Sequence, residues 1–553
     1  MKRLFISLAV SVALCVGFAG CNEKEDVELA GITLSGTSKL LKLNTDLNLT
    51  VVFFPENTTD RNLQWSSSNT SVATVANGKI TAVNEGFSVI KAVSVTDASI
   101  YAEYAVSVSD NDYVTVTGAV EGVWAAGTDV YVADQIWVAQ GKKLTVEEGV
   151  NVLIQDGQVG ESDARIEFFV DGSLYMRGSA ENPILVTVFD ESKRVEANKY
   201  AGLWGGIVGG NNFSEILLDH VIVEYTGGVT GAGSQSILKG ILEAPGKDQT
   251  AAVLTNNIDG RLVIQNSTVR YAASDAIYLM GCEAIVANNI IHTVGDTDND
   301  GINTKAGVKV DIAYNLMFSV NSNGLKLNSK GQSGERDQAL KSVYNNTIIN
   351  SGWRRTKNLK GGSIFIQQNA LAYVFNNLIL NCKLMTKTPD LDNPGPNDGA
   401  HPDTYVGYNF YASGSQQWSG SNPAGSPQLN TAFDGYKNYT DSDFFHDGRN
   451  GTKKIDENSL IATAAGTPDP GFVNFGFNSV PLGRDMFDTS WDFHVTSANS
   501  PIIAGSGAFK PQSIFTAKEF TPFFSATGRG LMIEGEEYNT PAPKAQYGAH
   551  GVK

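Results

Sequence analysis

The stretch Gly-Asp-Thr-Asp-Asn-Asp-Gly sets Asp296, Asp298 and Asp300 on alternate positions ahead of Gly301. Carboxylates in the order D-x-D-x-D-G turn toward one point, and the glycine permits the sharp bend; this is how a calcium loop opens. Three acids so close repel one another without a cation, although Asp and Asn are also ordinary turn formers. The closing acid of an EF-hand is missing, because Gly307 stands at the twelfth position. The expectation is therefore Ca2+ held on a β turn by Asp296, Asp298 and Asp300. Lys305, Lys326 and Asn328 lie downstream of this turn. A second concentration is the run SGWRRTKNLKGG, with Trp353, Arg354, Arg355, Lys357 and Lys360. In a chain of net charge -17, a basic loop beside an aromatic suits an acidic glycan. Arginine matches carboxylate or sulfate, and tryptophan offers a face to a sugar. A solvated loop is the plainer alternative.

These residues sit in a repeat that runs from about Leu262 to Leu380. Each unit has an apolar run, an Asn, a second apolar run, a polar loop and a small residue before a third run. Asn266, Asn289, Asn315, Asn346 and Asn377 are 23, 26, 31 and 31 residues apart. A period of this size built from three short strands is one coil of a parallel β-helix, with apolar side chains stacked inside. The Asn side chains are expected to stack at one turn and cap its backbone. Insertions fall in one loop of the repeat, where function concentrates. Strand side chains alternate. With Ile277, Ile302, Leu325 and Ile364 inward, Tyr278, Asn303, Lys326 and Phe365 form one outward column. Lys305, Asn328 and Gln367 form a second. Such columns on a flat sheet would floor a sugar chain.

Alternating apolar runs over 113–145 and 165–225 extend the solenoid toward the N-terminus, with polar insertions at 186–200 and 226–250. After Leu380 the repeat breaks. Tyr405, Tyr408, Phe410, Tyr411 and Trp418 come next, stacking sugars or packing their loop onto the helix, and packing is the preferred reading. WDFHVTSANSPIIAGSG resembles a closing coil, and QYGAHG fits a last strand on it.

Several runs resemble known families. FAGC after a basic start and a short apolar core resembles a bacterial lipobox. That implies a signal peptide over 1–20 and an acylated Cys21 opening a tether over 21–27. NEKEDVE resembles the acidic tag that carries Bacteroidota lipoproteins to the outer face of the outer membrane. LQWSSSNTSVATVANGKITAVNEGFSVIKA, around Trp65, is similar to the group-2 bacterial Ig-like module, expected at 28–110 as a β-sandwich spacer. DGSLYMRGSAENPILVTV, with a WGG after it, resembles right-handed β-helix surface proteins, and this fold is expected over 111–553. Asp298 and Asp300, ahead of Ile302 and Lys305, resemble family-6 polysaccharide lyases, and more faintly family 9. That resemblance implies calcium on the acids and Lys305 as the base. The family's Leu-x-Leu-Arg-His-Gly run reads GLKLNSKG here, so Asn328 replaces the Arg that assists as acid. Lys326, Lys330, Arg354 or Arg355 would substitute. NDG-I is also similar to a family-28 polygalacturonase signature, but the Gly-His-Gly and Arg-Ile-Lys runs are missing.

Composition bounds these readings. The chain has 553 residues, 57 Gly, 17 Pro and 18% charged residues, which describes a turn-rich all-β protein. Its net charge argues against nucleic acid and anionic membrane surfaces. No phosphate loop or dinucleotide fingerprint points to a nucleotide. Cys282 and Cys382 lie about four coils apart, too far for a disulfide, and read as buried thiols. The expectation is an outer-membrane-anchored surface protein whose β-helix binds an acidic polysaccharide through Tyr278, Asn303, Asn328, Trp353, Arg355 and Phe365. The alternative is a calcium-assisted lyase acting by β-elimination, with Lys305, Lys326 and Arg354 as its catalytic groups.

Overall fold

The computed structural model describes residues 26–159, 164–356, 361–386, 400–401, 404–412, 414, 459–462, 469–503 and 521–553. Cys21, Lys357, Lys360 and Trp418 lie outside the described residues. No described helix is long and apolar enough to cross a membrane.

The first unit is all β. Leu40–Leu41, Tyr101–Val108, Gly86–Ser94 and Leu63–Ser67 form one sheet. Asp46–Asn48, Lys79–Ala82 and Ala73–Ala76 form another. Alternation along these strands turns Leu41, Leu47, Ile80, Ile90 and Val106 into a shared core. This is the Ig-like unit. It is not held off as a spacer. Phe87 stacks on Trp124 of the next unit at 5.9 Å, and Lys39 pairs with Glu147 at 2.6 Å. Glu85 Oε1 accepts the Thr115 N–H at 3.1 Å. The Ig-like unit therefore covers the first coil of the neighbouring unit.

From Tyr113 the chain winds as a parallel β-helix with three faces. Face I stacks Phe168–Val170, Ile207–Gly209, Val253–Thr255, Ile277–Leu279, Ile302–Thr304, Asn323–Asn328 and Gly362–Gln367. Face II runs through Ser173–Arg177, Glu215–Asp219, Arg261–Gln265, Cys282–Ala287, Val308–Ala313, Leu340–Tyr344 and Leu371–Phe375. Face III includes Ile184–Val188, Val221–Glu224, Thr268–Ala272, Ile290–Val294, Leu316–Val320, Thr347–Ile349 and Leu378–Leu380. Inward Val, Ile and Leu from the three faces make one continuous core. Cys282 and Cys382 are buried, as the sequence suggested.

The Asn stack forms at the corner between faces II and III. The Asn289 N–H and Nδ2 both donate to Asn315 Oδ1, at 3.1 and 2.9 Å. Asn315 does the same to Asn346, Asn346 to Asn377, and Asn377 to Asn409. The structure differs from expectation in two respects. Asn266 is not a member; it takes a positive φ of 53°, and Ser267 stands at the ladder position, donating to Asn289. The repeat also does not end at Leu380. Tyr405–Gly407 and Phe410–Ala412 add to faces II and III, and Leu460–Ala462 adds to face III again. Phe410 and Tyr411 are buried, so these aromatics pack and do not present to sugars.

Among the described residues the C-terminal part adds no further coil, and past QYGAHG only Val552 makes an isolated parallel bridge, to Val495. Phe472–Asn474 and Asp492–Val495 pair antiparallel and lay Phe472, Phe475 and Phe493 on the outer side of face III, against Leu316 and Phe318. Residues 521–549 cross the outside of face II. Phe524, Leu531 and Ile533 pack on Leu217, Val263 and Ile285, and Asp311 accepts the Phe523 and Phe524 N–H groups and the Thr540 hydroxyl. Faces II and III thus have apolar outer surfaces that the chain itself covers. On face I the outward Phe169, Val208 and Leu254 of the earlier coils are covered by Ile241 and Leu242, and the later coils carry the polar Asn303, Lys305 and Lys326.

Candidate functional site

The outward column forms in the expected register: Tyr278 beside Asn303, Asn303 beside Lys326, Lys326 beside Phe365. Parallel pairing forces this once Ile277, Ile302, Leu325 and Ile364 are inside. Asn328 pairs in register with Gln367 in the second column. Asn303 Oδ1 accepts from Asn328 Nδ2 at 3.3 Å, and Asn328 Oδ1 accepts the Lys330 N–H at 3.0 Å.

Lys305 lies over the Tyr278 ring at 5.3 Å and has no ion pair among the described residues. Burial, then the neighbouring Lys326 ammonium, pulls its pKa down to about 8. Lys326 behaves differently. Burial alone would lower it, but Asp300 at 3.2 Å and Asp275 outweigh that, so its charge is held. Tyr278 is pushed above the ordinary phenol range by burial and by Asp275 and Asp300.

The acids do not gather as a calcium turn. Asp296 is exposed. Asp298 pairs with Arg355 at 2.5 Å. Asp300 turns inward to accept the Asn323 N–H at 3.0 Å and its Nδ2 at 2.7 Å, and pairs with Lys326. Among the described residues no group of three acids, His or Cys could hold a metal. Instead Asp298 meets the cation of Arg355, and Asp300 meets Lys326 and the amide of Asn323 in the next coil. In this arrangement Asp298 and Asp300 are each held by a cation of the protein, Arg355 and Lys326.

Asp275 was not singled out from the sequence. Its Oδ1 accepts the Asp300 N–H at 2.6 Å and its Oδ2 accepts Asn303 Nδ2 at 2.9 Å. Asp275, Asp300 and Asn323 therefore make a second, shorter ladder at the corner between faces III and I. Burial, then Asp300, raises Asp275 to about 7. The signal was present: SDAI, NDGI and SNGL align once the inward Ile277, Ile302 and Leu325 are superposed.

The basic loop also departs from expectation. Trp353 is 3% exposed, belongs to the solenoid core and donates Nε1–H to the Asn381 carbonyl at 2.6 Å. Arg354 donates to the carbonyls of Val294, Gly295 and Ser319, and its guanidinium stacks on Tyr200 at 4.8 Å. Arg355 donates to the Thr297 carbonyl at 2.7 Å as well as pairing with Asp298. These two arginines brace the turn at 295–301 and do not join Lys305. They follow Trp353 by one and two residues, and its burial fixes the loop against the core; spacing alone could not reveal that. Phe365 keeps its register but is 5% exposed, so it offers no face to a ligand.

What remains together is Tyr278, Asn303, Lys305, Lys326 and Asn328, with Asp275 and Asp300 behind them and Lys330 exposed at the rim. Chemically this is a phenol carrying one half-buried ammonium that has no ion pair among the described residues, set over buried amides that bond to one another and to Asp275. It would receive an anionic group among hydroxyls.

Residues 28–100 match the bacterial Ig-like domain (group 2). The match covers the first unit alone. No curated protein matches the chain.

Proposed function

We propose that face I binds an acidic polysaccharide, with the chain held at the outer face of the outer membrane by a lipid on Cys21. The observation that carries the binding reading is Lys305: an ammonium seated on Tyr278 with no carboxylate paired to it among the described residues. A buried charge without a partner is costly unless a ligand supplies one. Asn303 and Asn328 are buried beneath it and fix the floor, their amides bonded to Asp275, to each other and to the Lys330 N–H. The anchoring part rests on the FAGC and NEKEDVE runs. In calorimetric titrations, oligomers of a uronic acid should bind and neutral glucans should not, with Lys305→Gln weakening binding about tenfold. Equal binding of neutral and acidic oligomers, or an unchanged Lys305→Gln, would remove the reading.

One observation favours a second reading, a polysaccharide lyase. Lys305 at about 8 is a workable base near neutral pH. It would take the proton beside the uronate carboxylate, and the linkage oxygen would leave as the double bond forms. Arg354, expected to assist as acid, faces away from Lys305 into backbone carbonyls, so this reading would draw its acid from Tyr278 or Asp275.

A further inference from the structure

We infer that residues 521–549 form a latch that leaves and rejoins face II as one unit, with Asp311 as its clasp. The segment runs out along face II and back. Leu531–Ile533 and Glu536–Tyr538 pair antiparallel, and Glu534, at the turn between them, pairs with Lys143 at 2.9 Å and Arg177 at 3.1 Å on the earliest coils. The returning arm reaches the late coils, where the Lys544 N–H and carbonyl meet the side chains of Asn345 and Asn376. Its mode of attachment sets this segment apart. Coil is joined to coil by ladders of backbone bonds. Among the described residues no backbone-to-backbone hydrogen bond joins 521–546 to the solenoid. The bonds it makes there use side chains: Glu215 accepts the Glu534 N–H at 2.8 Å, and Tyr314 and Tyr344 donate to the Ala542 and Pro541 carbonyls at 2.7 Å. Backbone bonds return only at Tyr547, which donates to Ile502, and Gly548, which donates to Asn376. The segment can therefore lift from face II about that end without breaking a strand pair.

Asp311 stands where the two arms meet. Its Oδ1 accepts the Phe523 N–H at 3.1 Å, and its Oδ2 accepts the Phe524 N–H at 2.9 Å and the Thr540 hydroxyl at 2.8 Å. The Thr540 N–H closes on the Phe524 carbonyl at 2.8 Å, so one carboxylate ties both arms to the solenoid and to each other. It is fully buried and has no ion pair among the described residues. Ile285 and Ser342 flank it in register, and the Tyr344 phenol lies near it. Lys309, two residues earlier, sits over the Phe523 and Phe524 rings and pairs with Glu283, which also meets Arg529 of the segment. Two opposed terms therefore govern closure. Cover of Tyr175, Leu217, Val263 and Ile285 by Phe524, Leu531 and Ile533 favours it. Burial of a carboxylate without a cation opposes it. Burial, against the three donated bonds, raises Asp311 to about 6 in the closed form. In water such a group ionises near about 4, so closure takes up a proton and is tighter below about pH 6 than above it.

Hydrogen exchange of the full chain, with rates corrected for the intrinsic effect of pH, tests the latch. The amides of Phe523, Phe524, Glu534, Thr540 and Lys544 should open with one shared free energy, below that of the face II strands beneath them. Asp311→Asn should speed exchange about tenfold across the whole segment, its turn at Glu534 included, and leave the Asn-ladder amides unchanged. Arg177→Gln, at the opposite end, should speed the Phe523 and Phe524 amides as well as that of Glu534. Protection of the segment should rise about tenfold from about pH 7.5 to 5, and Asp311→Asn should abolish that rise. Effects confined to the neighbours of each substitution would overturn the latch. So would exchange of the segment only in step with the face II strands, or protection that does not change with pH.

Discussion

At the scale of single residues, the site turns on which lysine keeps a partner. Lys326 and Lys305 sit one coil apart, yet only Lys326 meets Asp300. Lys305 is left on Tyr278, where burial and the Lys326 charge depress it to about 8. A lysine lowered to about 8 is an ammonium below that pH and an amine above it. Binding of an anion needs the ammonium, so affinity for an oligouronate should be flat from about pH 6 to 7. It should weaken by up to about tenfold per unit above 8. Elimination needs the amine, so a lyase rate would rise through the same window. The two readings thus have opposite slopes, and measuring affinity and ultraviolet absorbance of unsaturated product across this range separates them. Lys305→Gln should flatten whichever slope is present.

At the scale of elements, the corners carry as much specification as the strands. The Asn ladder satisfies buried backbone groups at a bend where no strand partner exists. Asn315 accepts from the Asn289 N–H and Nδ2, and its own Nδ2 donates to Asn346 and to the Val286 carbonyl. Asn315→Ala would strand these groups in the interior, so unfolding in urea should show a loss of about 3 kcal/mol. Asn266→Ala, outside the ladder, should cost about 1 kcal/mol, mainly from its positive φ. Equal costs for both would mean that the ladder is not the stabilising element. The corner of Asp275, Asp300 and Asn323 repeats the device with carboxylates, and the result differs. Burial, then the neighbouring Asp300 carboxylate, raises Asp275 to about 7, and Asp300 recruits Lys326. The same geometry that braces the fold at one corner polarises the site at the other.

At the scale of the whole molecule, the chain closes its own surfaces. The Ig-like unit covers the first coil through Phe87 on Trp124, and the C-terminal segments cover the apolar outer sides of faces II and III. An uncovered solenoid end presents unpaired strand edges and an apolar cross-section. Deleting residues 28–110 should therefore lower the thermal midpoint by several degrees and produce concentration-dependent association in light scattering. A shorter chain as stable and as monomeric as the parent would return the Ig-like unit to the role of a spacer.

The amino-acid order by itself determined the Ig-like unit, the three-faced solenoid and the register of Tyr278, Asn303, Lys326 and Phe365. All of these come from periodicity, and parallel pairing propagates one inward residue through every coil. It also held the Asp275 and Asn409 positions, missed because insertions varied the coil length around them. What only the tertiary structure decided is exposure and partnership. Trp353, Arg354 and Phe365 look like ligand-facing residues in the sequence and are buried or turned to backbone carbonyls. Long loops of unrelated composition fold back over the column from elsewhere in the chain, so whether an outward residue reaches solvent is set by contacts between distant segments. Local spacing holds no record of those contacts.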